Sequence, residues 1–169
     1  MKELVKRAQH GDAQAFASLI ESSKRSLYAT AKAVLHNDAD AADAIQDAVL
    51  KAWQKLPRLQ EPAYFHTWLT RILLYRCYDM LRRQKRVIPV EQVPEQAGGP
   101  PSDTALDVDA ALSALAKNDR LVLTLFYLDD LSTRQIAQIL SLNENTVRTR
   151  LSRARARFKA VWQSKEDAI

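Results

Sequence analysis

Four of the six prolines (Pro89, Pro94, Pro100, Pro101) and two of the three glycines (Gly98, Gly99) fall within residues 89–101. Proline lacks an amide donor and fixes φ, and a Gly-Gly pair is costly to order, so neither helix nor strand runs through this stretch. The neighbourhood is also acidic: residues 91–109 contain Glu91, Glu95, Asp103, Asp107 and Asp109 and no Lys or Arg. Residues 87–106 therefore read as a flexible linker. The chain must fold as two blocks, 1–86 and 107–169. Both flanks are basic, with formal balances of +6 over residues 1–90 and +4 over residues 110–169. Such a distribution suits two surfaces that each meet a polyanion, and it also suits ordinary solvated charge.

Within each block the apolar periodicity is helical, and no two-residue alternation competes with it. Gly11-Asp12 reads as a break followed by an N-cap, and Phe16, Leu19, Ile20, Leu27, Ala31 and Leu35 then form one inward face. Ile45, Val49, Ala52, Trp53 and Leu56 predict a buried stripe on a helix over 39–56. Pro57 and Pro62 bracket a short loop. A further helix over 63–85 points Leu69, Ile72, Leu73, Met80 and Leu81 inward. The fold class is all-α, two small helical domains joined by the linker.

Other classes fall away on composition. A hydrophobic fraction of 47% is too high for a wholly disordered chain. No apolar run approaches the ~20 residues of a membrane span, and Met1–Arg7 is not followed by the apolar stretch of a signal peptide. Cys77 is alone, which excludes an internal disulfide, fits a reducing cytoplasm and suits helix packing better than redox chemistry. His10, His36 and His66 lack metal-ligand spacing, and there is no Gly-rich phosphate loop. No metal, cofactor or enzymatic activity is expected.

Two segments carry recognisable chemistry. Near the C-terminus, Ser132-Thr133-Arg134-Gln135 is a capping box that opens a short helix over 133–140, with Ile136, Ala137 and Leu140 inward. Ser141-Leu142-Asn143 forms a turn. A second helix from about Asn145 buries Val147 and Leu151 and displays Arg148, Thr149, Arg150, Ser152, Arg153, Arg155 and Arg157. This is the order of a helix-turn-helix, whose second helix enters the major groove. Arginine there pairs bidentately with guanine and neutralises phosphates. In the first block, Tyr64, Phe65, Trp68, Tyr75 and Tyr78 are interleaved with Arg71, Arg76, Arg82, Arg83, Lys85 and Arg86. Tyr64, Trp68, Arg71 and Tyr75 recur at steps of four, three and four, on one helical stripe. Rings among cations suit single-stranded DNA, where bases stack on rings and arginines hold the backbone. For Phe65 a place in the core competes with that role. Asp43, Gln46, Asp47, Leu50 and Gln54 form a polar stripe opposite the expected buried face, which reads as a solvated face or as a protein-docking surface.

Taken together, these residues resemble a known family. DAADAIQDAVLKAWQKL (40–56) and YFHTWLTRILLYRCYDMLRRQKR (64–86) look like region two of bacterial sigma factors. LVLTLFYLDDLSTRQIAQILSLNENTVRTRLSRARARF (121–158) looks like their region four. The order and the variable linker are similar to the extracytoplasmic-function (ECF) group, which retains these two domains alone.

The resemblance implies a subunit that binds core RNA polymerase and directs promoter-specific initiation, held by an anti-sigma factor and not inserted in a membrane. It places Asp43, Gln46, Asp47 and Leu50 on the clamp coiled coil of the β′ subunit and region four at the β flap. Arg58, Tyr64, Phe65, Trp68, Arg71, Tyr75 and Arg76 fall in the segment that captures the minus-ten element. Arg148, Thr149, Arg150, Arg153 and Arg155 fall on the helix that reads the minus-thirty-five element. The family's linker threads toward the RNA path near the polymerase active centre. Three positions depart from the pattern: Tyr75 stands where many relatives have Asn, Ser141 replaces a turn glycine, and Ala116 replaces a proline. The alternative is a dimeric helix-turn-helix repressor, which would bind duplex operator without polymerase and would leave the aromatic-basic helix without a role.

Overall fold

The computed structural model describes the backbone of residues 1–87 and 105–166, and their side chains over 1–84 and 108–164. The expected linker lies almost wholly outside these residues. The chain divides into two compact units, the first ending at Val87. All regular structure among the described residues is helical. The first unit holds α1 (Lys2–Gln9), α2 (Ala13–Leu35), α3 (Asp38–Lys55) and α4 (Phe65–Val87). The second holds α5 (Ala105–Ser113), α6 (Lys117–Tyr127), α7 (Thr133–Leu140) and α8 (Glu144–Glu166).

The turn from α1 to α2 is built as expected. Gly11 adopts φ +92°, a region that costs a side-chain-bearing residue dearly, and the Asp12 carboxylate accepts the Ala15 amide at 2.9 Å. That amide first, and then the Arg7 guanidinium at 2.6 Å, hold the Asp12 carboxyl below the usual carboxylate range. A depressed carboxyl stabilises the fold above its unfolded value, and the gain is lost as pH falls through the folded value. Melting temperature should therefore fall below about pH 4. Asp12→Asn keeps the capping acceptor but cannot titrate, so its fall should be shallower than that of the wild type.

Helix α3 begins at Asn37, whose Oδ1 accepts the Ala39 and Asp40 amides at 2.8 and 3.1 Å. Its buried face keeps Ala52 and Leu56 of the expected stripe and corrects Ile45, Val49 and Trp53. The core is met by Ala41, Ala44, Ala48 and Ala52, ending on Leu56, while Ile45 and Val49 are half-buried and Trp53 is 36% exposed. Small side chains allow α3 to lie close against α2 and α4, so the alanines take the centre and the larger residues move to its edges. Trp53 packs its ring on Phe16 of α2, with centroids 4.9 Å apart.

Pro57 and Pro62 each sit early in a short 3₁₀ turn (Leu56–Arg58 and Pro62–Tyr64), where a missing amide donor costs little. The second turn delays α4 to Phe65, two residues later than the pattern predicts. Leu69 and Leu73 are buried as expected, together with Leu74 and Cys77, whereas Ile72, Met80 and Leu81 are only half-buried.

In the second unit, Leu115, Val122, Leu123, Leu151 and Ala154 form the core shared by α6 and α8 and the end of α5. Asp119, Arg120 and Asp129, all charged, are also buried in this unit. Arg120 donates to the Leu112 and Ser113 carbonyls (3.4 and 3.1 Å), closing the end of α5, and Asp119 pairs with Arg157 of α8.

Candidate functional site

The helix-turn-helix forms as the residues require. Ser132 and Gln135 make the reciprocal capping box. Ser141 takes the left-handed conformation (φ 54°, ψ 44°) that favours glycine, so this departure from the family pattern places backbone strain in the turn. The Leu142 amide closes the turn on the Ala137 carbonyl at 2.9 Å. Leu142 itself is half-buried, and Val147, Leu151 and Ala154 seat α8.

Glu144 was not singled out on sequence, yet it ties the two helices. It accepts the Thr133 hydroxyl and the Arg148 guanidinium, each at 2.8 Å. Those two partners, the hydroxyl first, hold its carboxyl below the usual range. The pairing also sets the resting orientation of Arg148 on the first turn of α8.

Arg148, Thr149 and Arg153 are exposed, and Arg150 is half-buried. Thr149, Arg150, Arg153 and Arg157, with Asn118 near the start of α6, line a groove of about 530 Å³. Arg155 is exposed and also makes a ring contact. Its guanidinium lies over the rings of Phe126 and Tyr127, 5.1 and 5.5 Å from their centroids, on the flank where α8 meets α6. A cation over two ring faces gains a packing contact while its side chain stays exposed. Arg148, Thr149, Arg153 and Arg155 are thus all exposed on α8, flanked by the half-buried Arg150.

In the first unit, Tyr64 and Tyr75 are 55% and 65% exposed, Arg71 is exposed, and Trp68 is half-buried. They lie along one side of α4 and the turn before it, opposite the face that buries Phe65, Leu69, Leu73 and Cys77. Phe65 is corrected to the core. At 1% exposure its ring is enclosed, and its contact with Trp68 (centroids 6.0 Å apart) supports the indole from beneath. Arg76 is half-buried about a quarter turn from the Tyr75 stripe, and Arg58 is exposed on the loop side. Arg82 and Arg83 are both paired with Asp79, at 3.6 and 3.0 Å.

On α3, Asp43, Gln46, Asp47 and Leu50 share one exposed face, and Leu50 is 62% exposed. Among the described residues no three His, Cys, Asp or Glu side chains gather into a metal-holding group, and no helix is long and apolar enough to cross a membrane.

Comparison with known proteins follows the same two-unit division. The family signature Sigma-70 region 2 matches residues 19–87, and Sigma-70, region 4 matches residues 105–158. The ECF RNA polymerase sigma factor SigM of Mycobacterium tuberculosis is 34% identical over 159 residues, covering 92% of this chain and 81% of SigM. "Probable RNA polymerase sigma factor RfaY" of Xanthomonas campestris pv. campestris is 35% identical over 162 residues, covering 88% of this chain; the chain spans 40% of that protein's length. Among solved structures, CnrH in complex with the cytosolic domain of CnrY is 26% identical with a TM-score of 0.71, covering 96% of this chain and 97% of CnrH.

Proposed function

The chain belongs to the sigma-70 family, in its ECF group, and from that membership we propose a division of labour among its surfaces. Members of the family are not enzymes and do not act as free-standing repressors; they join core RNA polymerase and direct initiation at chosen promoters. In this chain the exposed face Asp43–Gln46–Asp47–Leu50 docks on the β′ clamp coiled coil, and the second unit meets the β flap. The face Arg148–Thr149–Arg153 reads the minus-thirty-five duplex, with Arg150 and Arg155 at its edges. The stripe Tyr64–Trp68–Arg71–Tyr75, with Arg58 and Arg76 at its borders, captures unstacked bases of the minus-ten element. Residues 1–86 and 107–169 are the two working domains, and the acidic stretch between them is the linker. The protein works in the cytoplasm on nucleoid DNA. CnrH is solved with the cytosolic domain of CnrY, and from membership of the ECF group we assign this chain an anti-sigma partner.

The observation that carries the reading is the α4 stripe. Two exposed tyrosines and a half-buried indole alternate with an arginine opposite the core, and the two tyrosines lie more than half exposed. Bases leaving a duplex lose their stacking partners, and rings on this side replace them. Trp68→Ala should therefore reduce open-complex formation by about tenfold, the scale of one lost base–ring stack. Its affinity for core polymerase should be unchanged. In vitro transcription with core enzyme and a genomic promoter pool gives both readouts. Equal losses in opening and in core binding would count against strand capture, and specific duplex binding without core enzyme would favour a repressor.

A further inference from the structure

The loop that leads into the strand-capturing helix is poorly supplied with hydrogen bonds of its own. Pro57 and Pro62 remove two donors from residues 56–64. Its internal bonds each close a single turn: Leu59 N–H to the Leu56 carbonyl at 3.0 Å, Tyr64 N–H to the Glu61 carbonyl at 3.0 Å, and Ala63 N–H to the Glu61 carboxylate at 3.2 Å. None of these fixes the direction in which the segment Leu59–Glu61 leaves the body of the unit.

That anchor comes from far away in sequence. The side-chain amide of Gln9, at the last position of α1, donates to the Leu56 carbonyl at 3.1 Å and to the Leu59 carbonyl at 2.7 Å. One NH₂ group thus satisfies both ends of the first 3₁₀ turn. Helix α1 is itself fixed by Val5 and Ala8, both buried, and it packs against both short turns. It lies outside the region 2 match, which begins at residue 19. The Leu56 side chain is fully buried, so the start of the loop is set by the core. Its other end, at Leu59, is set by Gln9.

We propose that Gln9 is a positioning residue for promoter recognition: it aims the Leu59–Glu61 loop, and through it Tyr64, toward the unstacked minus-ten base. This rests on the strand-capture reading of α4. The Tyr64 ring enters α4 five residues after the Leu59 carbonyl, so a loop freed at Leu59 lets Tyr64 move relative to Trp68. The docking face of α3 is held independently by its alanine stripe, and Gln9 does not touch it.

The test uses holoenzyme assembled from the full chain and core polymerase, with a promoter series carrying each base at every minus-ten position. Gln9→Glu is nearly isosteric but presents acceptors to two carbonyls, and Gln9→Ala removes the group. Both should bind core as the wild type does, lower open-complex formation by about tenfold, the effect of one to two lost hydrogen bonds, and flatten the base preference at one minus-ten position. Gln9→Lys restores a donor and should recover that preference. Wild-type opening and base preference in Gln9→Ala would overturn the proposal. So would a parallel loss of core binding and opening in both variants, because it marks a structural role alone. Trp68→Ala in the same series separates the two ideas: if it too is silent, the strand-capture reading fails, and if it alone is defective, only the role of Gln9 fails.

Discussion

Phe65→Ala is expected to destabilise the first unit by about 3–5 kcal/mol, the range for emptying a large aromatic site in a packed core. A domain with about 5–15 kcal/mol of total stability loses much of its margin at such a cost. The ring is enclosed at the start of α4 and lies against Trp68, with ring centroids 6.0 Å apart. Its loss therefore removes packing from α4 and support from the indole together. Urea unfolding followed by far-UV circular dichroism should show an earlier transition, and core binding and promoter opening should fall in step. Tyr75→Ala is the contrasting change. Its side chain is 65% exposed, so its unfolding should stay within about 0.5 kcal/mol of the wild type. An unaltered transition for Phe65→Ala would contradict its placement in the core.

The second large effect separates two arginines four residues apart on α8. Arg157 pairs with the buried carboxylate of Asp119 in the first turn of α6, whereas Arg153 is exposed beside the groove. Arg157→Ala leaves a carboxylate buried without its cation, which should cost the second unit about 2 kcal/mol. Arg153→Ala should leave stability within about 0.5 kcal/mol. It should instead weaken discrimination at one minus-thirty-five base pair by about 1–3 kcal/mol. Chemical unfolding of each variant, paired with holoenzyme binding to single-base promoter variants, reads both effects. Equal unfolding midpoints for Arg157→Ala and wild type would remove the structural role of that pair.

Much of this was legible before any coordinates. Capping residues act within three or four positions of themselves, so Asp12, Ser132 and Gln135 announce their helices locally, and Ser141 marks the strained turn. The phase of α3 was misread for a physical reason. Periodicity weights the largest apolar residues, so it picks Ile45, Val49 and Trp53 beside Ala52 and Leu56, of which the last two are buried as expected. Close helix approach selects the smallest, and the core adds Ala41, Ala44 and Ala48. Interactions with distant partners were harder still. Gln9 bonds backbone carbonyls 47 and 50 residues away, and a carbonyl leaves no mark in a sequence. Arg155 and Arg157 look like their neighbours on α8 until the rings of Phe126 and Tyr127 and the carboxylate of Asp119 come into view.

The alanine stripe of α3 has a bearing on how this molecule can be altered. Because the centre of the helix is seated by alanines and its edges by Ile45, Val49 and Trp53, the exposed residues Asp43, Gln46, Asp47 and Leu50 carry little responsibility for holding it in place. The lettering of its outer side can be rewritten while the frame stays fixed, as on a key whose shank and teeth are cut separately. With the docking face as proposed, a chain built this way suits re-engineering toward a foreign polymerase, since Asp43, Gln46, Asp47 and Leu50 can be exchanged with the bundle beneath left intact.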